Sequence, residues 1–331
     1  MCLLGGYNLN AHTTLGDVIG ARKRSEKFYT RTPLHRYRSL DELVGAEIYV
    51  KHENHQKTGS FKVRGALNVL SGFSKDEKSR GVVAATSGNF GQGIAYAASV
   101  FGVSANVVVP VGANPGKVDS IKRLGANIVF HGDVFDDSRE YAEQLAEKQG
   151  YRYVHSANEI GLVAGVGTYS LEIFEDLPEV DVIIVPVGGG SGACGACVVS
   201  NAIRPSTKVV GVQAANAPAA YLSWKEGRTI EAEMETIAEG LATRVGFERA
   251  QEILRDKLTD FLLVEEDEMV RAVVTLLEHT HNVAEHAGAA PLAAAIKMKD
   301  FLGGKKVVLV MSGGNMTVDQ LRGILSNSSK N

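Results

Sequence analysis

At 331 residues the chain is longer than one hydrophobic core usually supports, so two lobes are expected. Its 44% apolar and 22% charged residues are those of a soluble globular protein, and 35 basic against 38 acidic residues leave a formal charge of −3. That balance excludes the basic footprint of a nucleic-acid or anionic-membrane binder. No apolar run approaches the about 20 residues of a membrane helix, residues 1–10 lack a signal-peptide pattern, and three cysteines build no disulfide framework. The expectation is a cytoplasmic enzyme with a small-molecule substrate and neither nucleic acid nor membrane as partner.

From residue 46 onward, short β-branched runs alternate with helical patterns. Strands are predicted at 47–53, 82–86, 106–110, 128–131, 151–154, 182–187, 209–213, 261–264 and 307–311. Between them, helices are predicted at 62–73, 91–101, 117–124, 135–149, 191–203, 267–282 and 291–301. Several strands are continuous apolar runs, as expected of parallel strands covered on both faces. The alternation reads as an α/β fold with two open, mainly parallel sheets flanked by helices. Ligands of such sheets bind beyond the carboxyl ends of strands, at helix N-termini.

Three of those strand ends carry glycine clusters, which hold eight of the chain's 36 glycines. They are Thr86-Ser87-Gly88-Asn89-Phe90-Gly91, Gly188-Gly189-Gly190-Ser191-Gly192 and Ser312-Gly313-Gly314-Asn315. Three in one chain predict loops converging on one small ligand. The second follows a buried strand and opens a helix, where backbone N–H groups and the helix dipole form an anion cup suited to phosphate. A tight turn with close helix packing would use the same glycines. Gly190-x-Gly192-x-x-Gly195 also matches a dinucleotide pattern, but the next strand ends at Gln213 with no acid for a ribose hydroxyl. A P-loop would need a lysine in this run, and there is none.

Lys62 follows Thr58-Gly59-Ser60-Phe61 and opens a helical pattern. The dipole disfavours a cation there, and a lysine of lowered pKa can act as a Schiff-base nucleophile, although position alone also suits a surface lysine. Ser87, Asn89 and Ser312 are either ligand donors or helix caps. Cys194 and Cys197 have redox spacing inside a small-residue helix, where packing explains them better. His279, His281 and His286 lack metal-ligand spacing, and no metal site is expected.

Taken together and in this order, Lys57-Thr58-Gly59-Ser60-Phe61-Lys62-Val63-Arg64-Gly65-Ala66, Thr86-Ser87-Gly88-Asn89-Phe90-Gly91-Gln92, the 188–192 run and Ser312-Gly313-Gly314-Asn315 resemble the fold type II pyridoxal-phosphate enzymes. The likeness is to the threonine dehydratase and serine racemase family, and it runs from Thr32-Pro33-Leu34 to the C-terminus. Cysteine-synthase relatives read differently around the lysine.

The resemblance implies pyridoxal 5'-phosphate in the cleft between a large domain, 1–68 and 158–331, and a small one, 69–157. It implies that Lys62 carries the cofactor as a Schiff base and then serves as base at the substrate Cα. Phe61 would pack near the pyridine ring, and Gly188, Gly189, Gly190, Ser191 and Gly192 would cradle the phosphate. Asn89 would meet the phenolic oxygen, and Ser312, beside Gly313, the ring nitrogen. A neutral hydroxyl there favours β-elimination over transamination. Gly240 and Glu285 would line the cofactor site. Thr86, Ser87, Gly88, Asn89 and Phe90 would bind the substrate carboxylate, with Ser87 on the face opposite Lys62.

The implied activity is an ammonia-lyase for a β-hydroxy amino acid such as threonine or serine, in a homodimer. A racemase, or a lyase for a related β-substituted amino acid, is the alternative, and an NAD-dependent dehydrogenase a distant one. Phe90 replaces a histidine of many relatives, which implies a more apolar pocket. Gln213 and Ala219 stand where metal-activated relatives carry two acids, so that cation site is expected to be lost. Few residues follow Ser312, so the C-terminal regulatory domain of the biosynthetic threonine dehydratases is not expected.

Overall fold

The computed structural model describes residues 13–86 and 88–328, so the 1–10 segment and Ser87 lie outside the described residues. Among the described residues the strands are β1 Leu34–Arg36, β2 Glu47–His52, β3 Val82–Ala85, β4 Ala105–Val109, β5 Asn127–Phe130, β6 Arg152–Tyr153, β7 Val182–Pro186, β8 Lys208–Ala214, β9 Asp260–Val264 and β10 Lys306–Met311. One sheet has the order β1-β2-β10-β7-β8-β9 and the other β5-β4-β3-β6. The first draws on both ends of the chain. Every pairing is parallel except β1 with β2.

The continuous apolar strands have the cause expected of them. In β7, Val182 and Ile184 enter one core cluster while Ile183 and Val185 enter another on the opposite face. In β10, Val307, Leu309 and Met311 face the first cluster, Val308 and Val310 the second. The smaller sheet repeats the pattern, with Val82 and Ala84 on one side and Val83 and Ala85 on the other. Helices cover both faces, so period-2 alternation has nothing polar to alternate with.

The sequence reading left out several helices, among them Leu15–Ser25, Ile160–Val166, Thr168–Asp176, Ala219–Glu226 and Glu248–Lys257, and two further differences have a clear physical reason. β1 was not predicted, because it is a three-residue edge strand with His35 and Arg36 exposed. The helix expected to open at Pro291 instead runs His286–Lys297 with Pro291 inside it. Its residues from His286 to Ala295 are all buried, and that packing outweighs the hydrogen bond lost at proline. The helix Lys62–Ser71 crosses residues 68 and 69, and its Val63, Ala66, Leu67 and Leu70 lie in the core shared with the smaller sheet.

That helix is pinned from its other side by buried charges. Arg64 Nε and Nη2 donate to the two Glu53 carboxylate oxygens at 2.7 and 2.8 Å. Its Nη1 and Nη2 donate to Glu172 at 2.7 and 2.8 Å. Lys51 Nζ donates to Glu172 at 2.6 Å and to the Thr32 carbonyl at 2.7 Å, and Thr32 Oγ1 donates to Glu53 at 2.5 Å. All four charged side chains are within 3% of full burial, and the two cations balance the two carboxylates. Such a cluster need not stabilise more than apolar packing would, but breaking it strands a buried charge. Arg64→Met is therefore expected to lower the unfolding free energy by about 3–5 kcal/mol, read from urea denaturation. Adding Glu53→Gln should recover part of that loss. A loss below about 1 kcal/mol for Arg64→Met would contradict the assignment.

Candidate active site

Because β2, β10, β7 and β8 are parallel neighbours, their carboxyl ends share one edge of the sheet. The loops that follow them build the site. After β2 the chain turns back, and its 59–61 segment pairs antiparallel with 312–314. Phe61 N donates to the Ser312 carbonyl at 3.1 Å, Gly314 N donates to the Gly59 carbonyl at 2.9 Å, and Ser60 bridges Gly313. Lys62 opens its helix immediately afterwards, with no side-chain cap before it. Its place is thus set by a strand end from the far end of the chain.

The Lys62 side chain is half-buried, with Nζ 5.0 Å from the Phe61 ring centroid. Burial brings its amine down to about 8, while the Glu285 carboxylate pulls the other way. The sequence argument from the helix dipole had the right sign, but burial is the leading cause. The Phe61 ring meets Tyr169 edge-on at 6.4 Å and lies beside Gly192, whose carbonyl accepts from Tyr169 Oη at 2.8 Å.

The glycine turn links β7 to the helix Ser191–Ile203. Gly190 closes it with φ +88°, the left-handed region that only glycine enters without strain. No side chain caps that helix, which leaves its first backbone N–H groups to an anion. The Gly240 carbonyl packs against the Gly188 Cα so tightly that a Cβ there would collide with it. Gly189 lies beside Ala157 and Phe247, and Ser191 is buried. Cys194 and Cys197, further along the same helix, are buried free thiols. Burial raises both, Cys197 to about 12, which supports packing over redox chemistry.

Asn89 opens the helix Asn89–Phe101, and Glu285 precedes the helix His286–Lys297. Asn89 Nδ2 donates to Glu285 Oε1 at 2.6 Å, and Asn89 Oδ1 accepts from Asn315 Nδ2 at 2.7 Å. Asn315 Nδ2 also donates to the Thr58 carbonyl at 2.8 Å. The amide of Asn89 is therefore oriented, with one N–H left to meet an oxygen. Burial raises the Glu285 pKa, and Lys117 and the Asn89 bond oppose it. Glu285 N donates to the Gly313 carbonyl at 3.1 Å, joining this group to Ser312, which is buried.

At the third cluster, Thr86 Oγ1 accepts from Gly88 N at 3.2 Å, so the Gly88 N–H is already engaged. Phe90 is 4% exposed and its ring belongs to the core containing Val63, Leu67 and Ile94. What Phe90 can offer a ligand is its backbone, and the ring does not explain a more apolar pocket. Gln213, fully buried at the end of β8, accepts from Tyr221 N at 3.0 Å through Oε1. Its Nε2 points donors at the Leu241 carbonyl and Thr243 Oγ1, at 3.4 and 3.3 Å. Ala219, also buried, opens the helix Ala219–Glu226.

Several site residues escaped the sequence reading. Asn315 stood in a quoted motif without a role. Lys117, buried in the helix Pro115–Arg123, reaches Glu239 beside Gly240 at 2.5 Å. Both line a cleft with Glu285, His286, Asn315 and Met316. Nothing in their spacing could pair them. An uncapped glycine turn for an anion, a lysine amine of lowered pKa, and an oriented amide beside a buried carboxyl fit pyridoxal phosphate as a donor set.

Comparison with known proteins agrees. The model of the pyridoxal-phosphate dependent enzyme family matches residues 26–313. The L-threonine ammonia-lyase of Thermotoga maritima is 41% identical over 314 residues, which are 95% of this chain and 78% of that protein. The catabolic L-threonine dehydratase of Escherichia coli K12 is 35% identical over 93% of this chain and 94% of its own. Among solved structures, serine racemase from Dictyostelium discoideum superposes with a TM-score of 0.88 at 35% identity, covering 93% of this chain and 100% of that one. The processed threonine deaminase isoform 2 of Solanum lycopersicum gives 0.89 at 28% identity, covering 98% of each. With most of its length matched by the family model and its site residues convergent, the chain belongs to the pyridoxal-phosphate dependent enzymes.

Proposed function

We propose that the protein is an ammonia-lyase that converts L-threonine or L-serine to a 2-oxo acid and ammonia. The observation that carries this reading is the convergence on Lys62 of the glycine turn, the Asn89–Glu285 pair and the Ser312–Gly313 strand end. The ammonia-lyase relatives support the substrate class. Bound pyridoxal phosphate would supply an electron sink that acidifies the substrate Cα–H.

The chain's own residues do the rest. Gly188, Gly189, Gly190, Ser191 and Gly192 would hold the phosphate, Asn89 the phenolic oxygen and Ser312 the ring nitrogen. Phe61 would pack by the ring, with Gly240, Glu285 and Gly313 around it. Thr86, Ser87, Asn89 and the backbone of Phe90 would hold the substrate carboxylate. Lys62 Nζ would take the proton from Cα, and the β-hydroxyl would leave as water after gaining a proton. The released enamine would then hydrolyse to the 2-oxo acid and ammonia. Ser87, which the family resemblance would put opposite Lys62, would serve a second reading, amino-acid racemisation, which the likeness to serine racemase supports.

The lobes at 69–157 and at 1–68 with 158–331, the homodimer and the cytoplasmic location belong to the same proposal. No helix of the described residues is long and apolar enough to cross a membrane. We also propose that no divalent cation sits beside Gln213, because Gln213 and Ala219 offer no carboxylate and the one amide oxygen already accepts from Tyr221 N. Release of ammonia and 2-oxo acid from L-threonine and L-serine, assayed with pyridoxal phosphate and EDTA both present, tests these points. Turnover that survives EDTA is expected. No release from either substrate would sink the lyase, and activity restored only by magnesium or calcium would sink the cation-free loop.

The lowered Lys62 pKa makes a separate prediction. An amine of pKa about 8 is about one-tenth neutral at pH 7, against roughly one part in 2,500 for an ordinary lysine. The rate at which apoprotein captures pyridoxal phosphate, followed by stopped-flow absorbance, should rise with pH and level off above about 8. Glu285→Gln removes the carboxylate that pulls the pKa up, so the midpoint should fall. A rate still climbing through pH 10 would contradict the burial of Lys62.

A further inference from the structure

The turn that follows β6 is closed on a side chain. His155 Nδ1 accepts from both Ala157 N and Asn158 N, at 3.0 Å each. Two N–H donors aimed at one ring nitrogen leave no place for a proton on it, so His155 is neutral with its proton on Nε2. An asparagine side chain closes a turn on the residue two positions on in the same way, and here an imidazole takes that part. The ring is half-buried, edge-on to Phe247 at 5.6 Å and to Tyr153 at 6.2 Å.

Both groups that His155 holds lie against the glycine turn. A Cβ built on Gly189 would lie 3.2 Å from Ala157 Cβ and 3.8 Å from the Phe247 ring. Phe247 also leads into the helix Glu248–Lys257, whose Ala250 packs against Gly190. Glycines carry no side chains with which to fix their own loop, so the direction of their N–H groups depends on these neighbours. The charges facing His155 come from the helix Phe135–Gln149, where Arg139 and Glu143 pair at 3.0 Å. Burial lowers the His155 pKa, with Glu143 opposing and Arg139 adding to the fall. Tyr153, raised by burial, stays a neutral phenol, and Arg152 and Glu159 pair across the base of the turn at 3.0 Å.

We propose that His155 is a positioning residue, whose unprotonated Nδ1 holds the 155–158 turn and, through Ala157 and Phe247, the shape of the glycine turn that takes the phosphate. The inference rests on the reading of 188–192 as the phosphate cup and adds the group that keeps the cup in shape. A proton on Nδ1 would break both bonds and leave two backbone N–H groups facing a third donor. Phosphate binding therefore weakens as pH falls through the His155 titration, which lies below the usual 6.5.

The test uses the full chain free of cofactor, as wild type, His155→Asn and His155→Phe. Inorganic phosphate is the probe, because it reads the glycine turn without Lys62. His155→Asn keeps an acceptor that takes up no proton, whereas His155→Phe keeps a ring against Phe247 and loses the acceptor. At about pH 8, His155→Phe should bind phosphate about 10-fold more weakly, and His155→Asn should match the wild type. Ring 15N NMR of the wild type should show the Nε2–H tautomer and a titration midpoint below 6.5. Through that midpoint the wild type should lose affinity relative to His155→Asn, a ratio that cancels the titration of phosphate itself. Full phosphate affinity in His155→Phe, an Nδ1–H tautomer, or a ratio that stays flat through the midpoint would each overturn the proposal. So would wild-type binding that strengthens there, since the imidazolium would then be a cationic phosphate ligand. Wild-type protein that binds no phosphate would take down the cup reading and this inference together, whereas failure of the inference alone leaves wild-type binding intact.

Discussion

The arrangement depends on one short piece of antiparallel pairing. Parallel strands β2 and β10 end on the same edge, and the chain after β2 folds back so that 59–61 pairs with 312–314. Two backbone hydrogen bonds there fix Lys62 relative to Ser312, Gly313 and Asn315. Without that return, the lysine would start a helix with no defined relation to the other end of the chain. Asn315 reinforces the closure by donating to both the Thr58 carbonyl and Asn89.

Around this junction the charges are arranged in two different ways. The Arg64 cluster is closed, with each carboxylate facing cations and each cation facing carboxylates in full burial. It positions the Lys62 helix and offers nothing to a ligand. The charges of the site are left incomplete. Lys62 has a lowered pKa and no hydrogen-bond or ion-pair partner among the described residues, Glu285 has a raised one, and the Ser60 hydroxyl has no hydrogen-bond partner among those residues either. Unfinished electrostatics in a cleft, next to finished electrostatics in the core, is the physical difference between a binding site and a scaffold. The Lys117–Glu239 pair lies between these cases, a buried cation whose partner is exposed, bridging a helix of the four-stranded part to the loop at Gly240.

Much of the fold was legible because its strands are buried on both faces, so valine-rich runs such as 182–187 and 307–311 stand out. The edge strand at Leu34–Arg36 was not, since its side chains are largely exposed and its pairing is set by β2. Pro291 misled because proline usually opens a helix, whereas here small buried residues on both sides hold one together. The site was legible where glycines and a lysine fall in short motifs. Glu53, Arg64 and Glu172 were silent as a cluster, since only folding brings 53 and 172 together. Asn315 was visible as a letter in a motif, but its role comes from its bonds to Asn89 and the Thr58 carbonyl. Phe90 shows the reverse error, because its place in a ligand motif suggested a pocket wall and its ring is core.

The central claim is that Lys62 is the residue that bonds the cofactor. Borohydride reduction of the protein loaded with pyridoxal phosphate, followed by proteolysis and mass mapping, tests it most directly. The account predicts a single phosphopyridoxyl-lysine in the peptide containing Ser60-Phe61-Lys62. A label carried by any other lysine, with Lys62 unmodified, would contradict it.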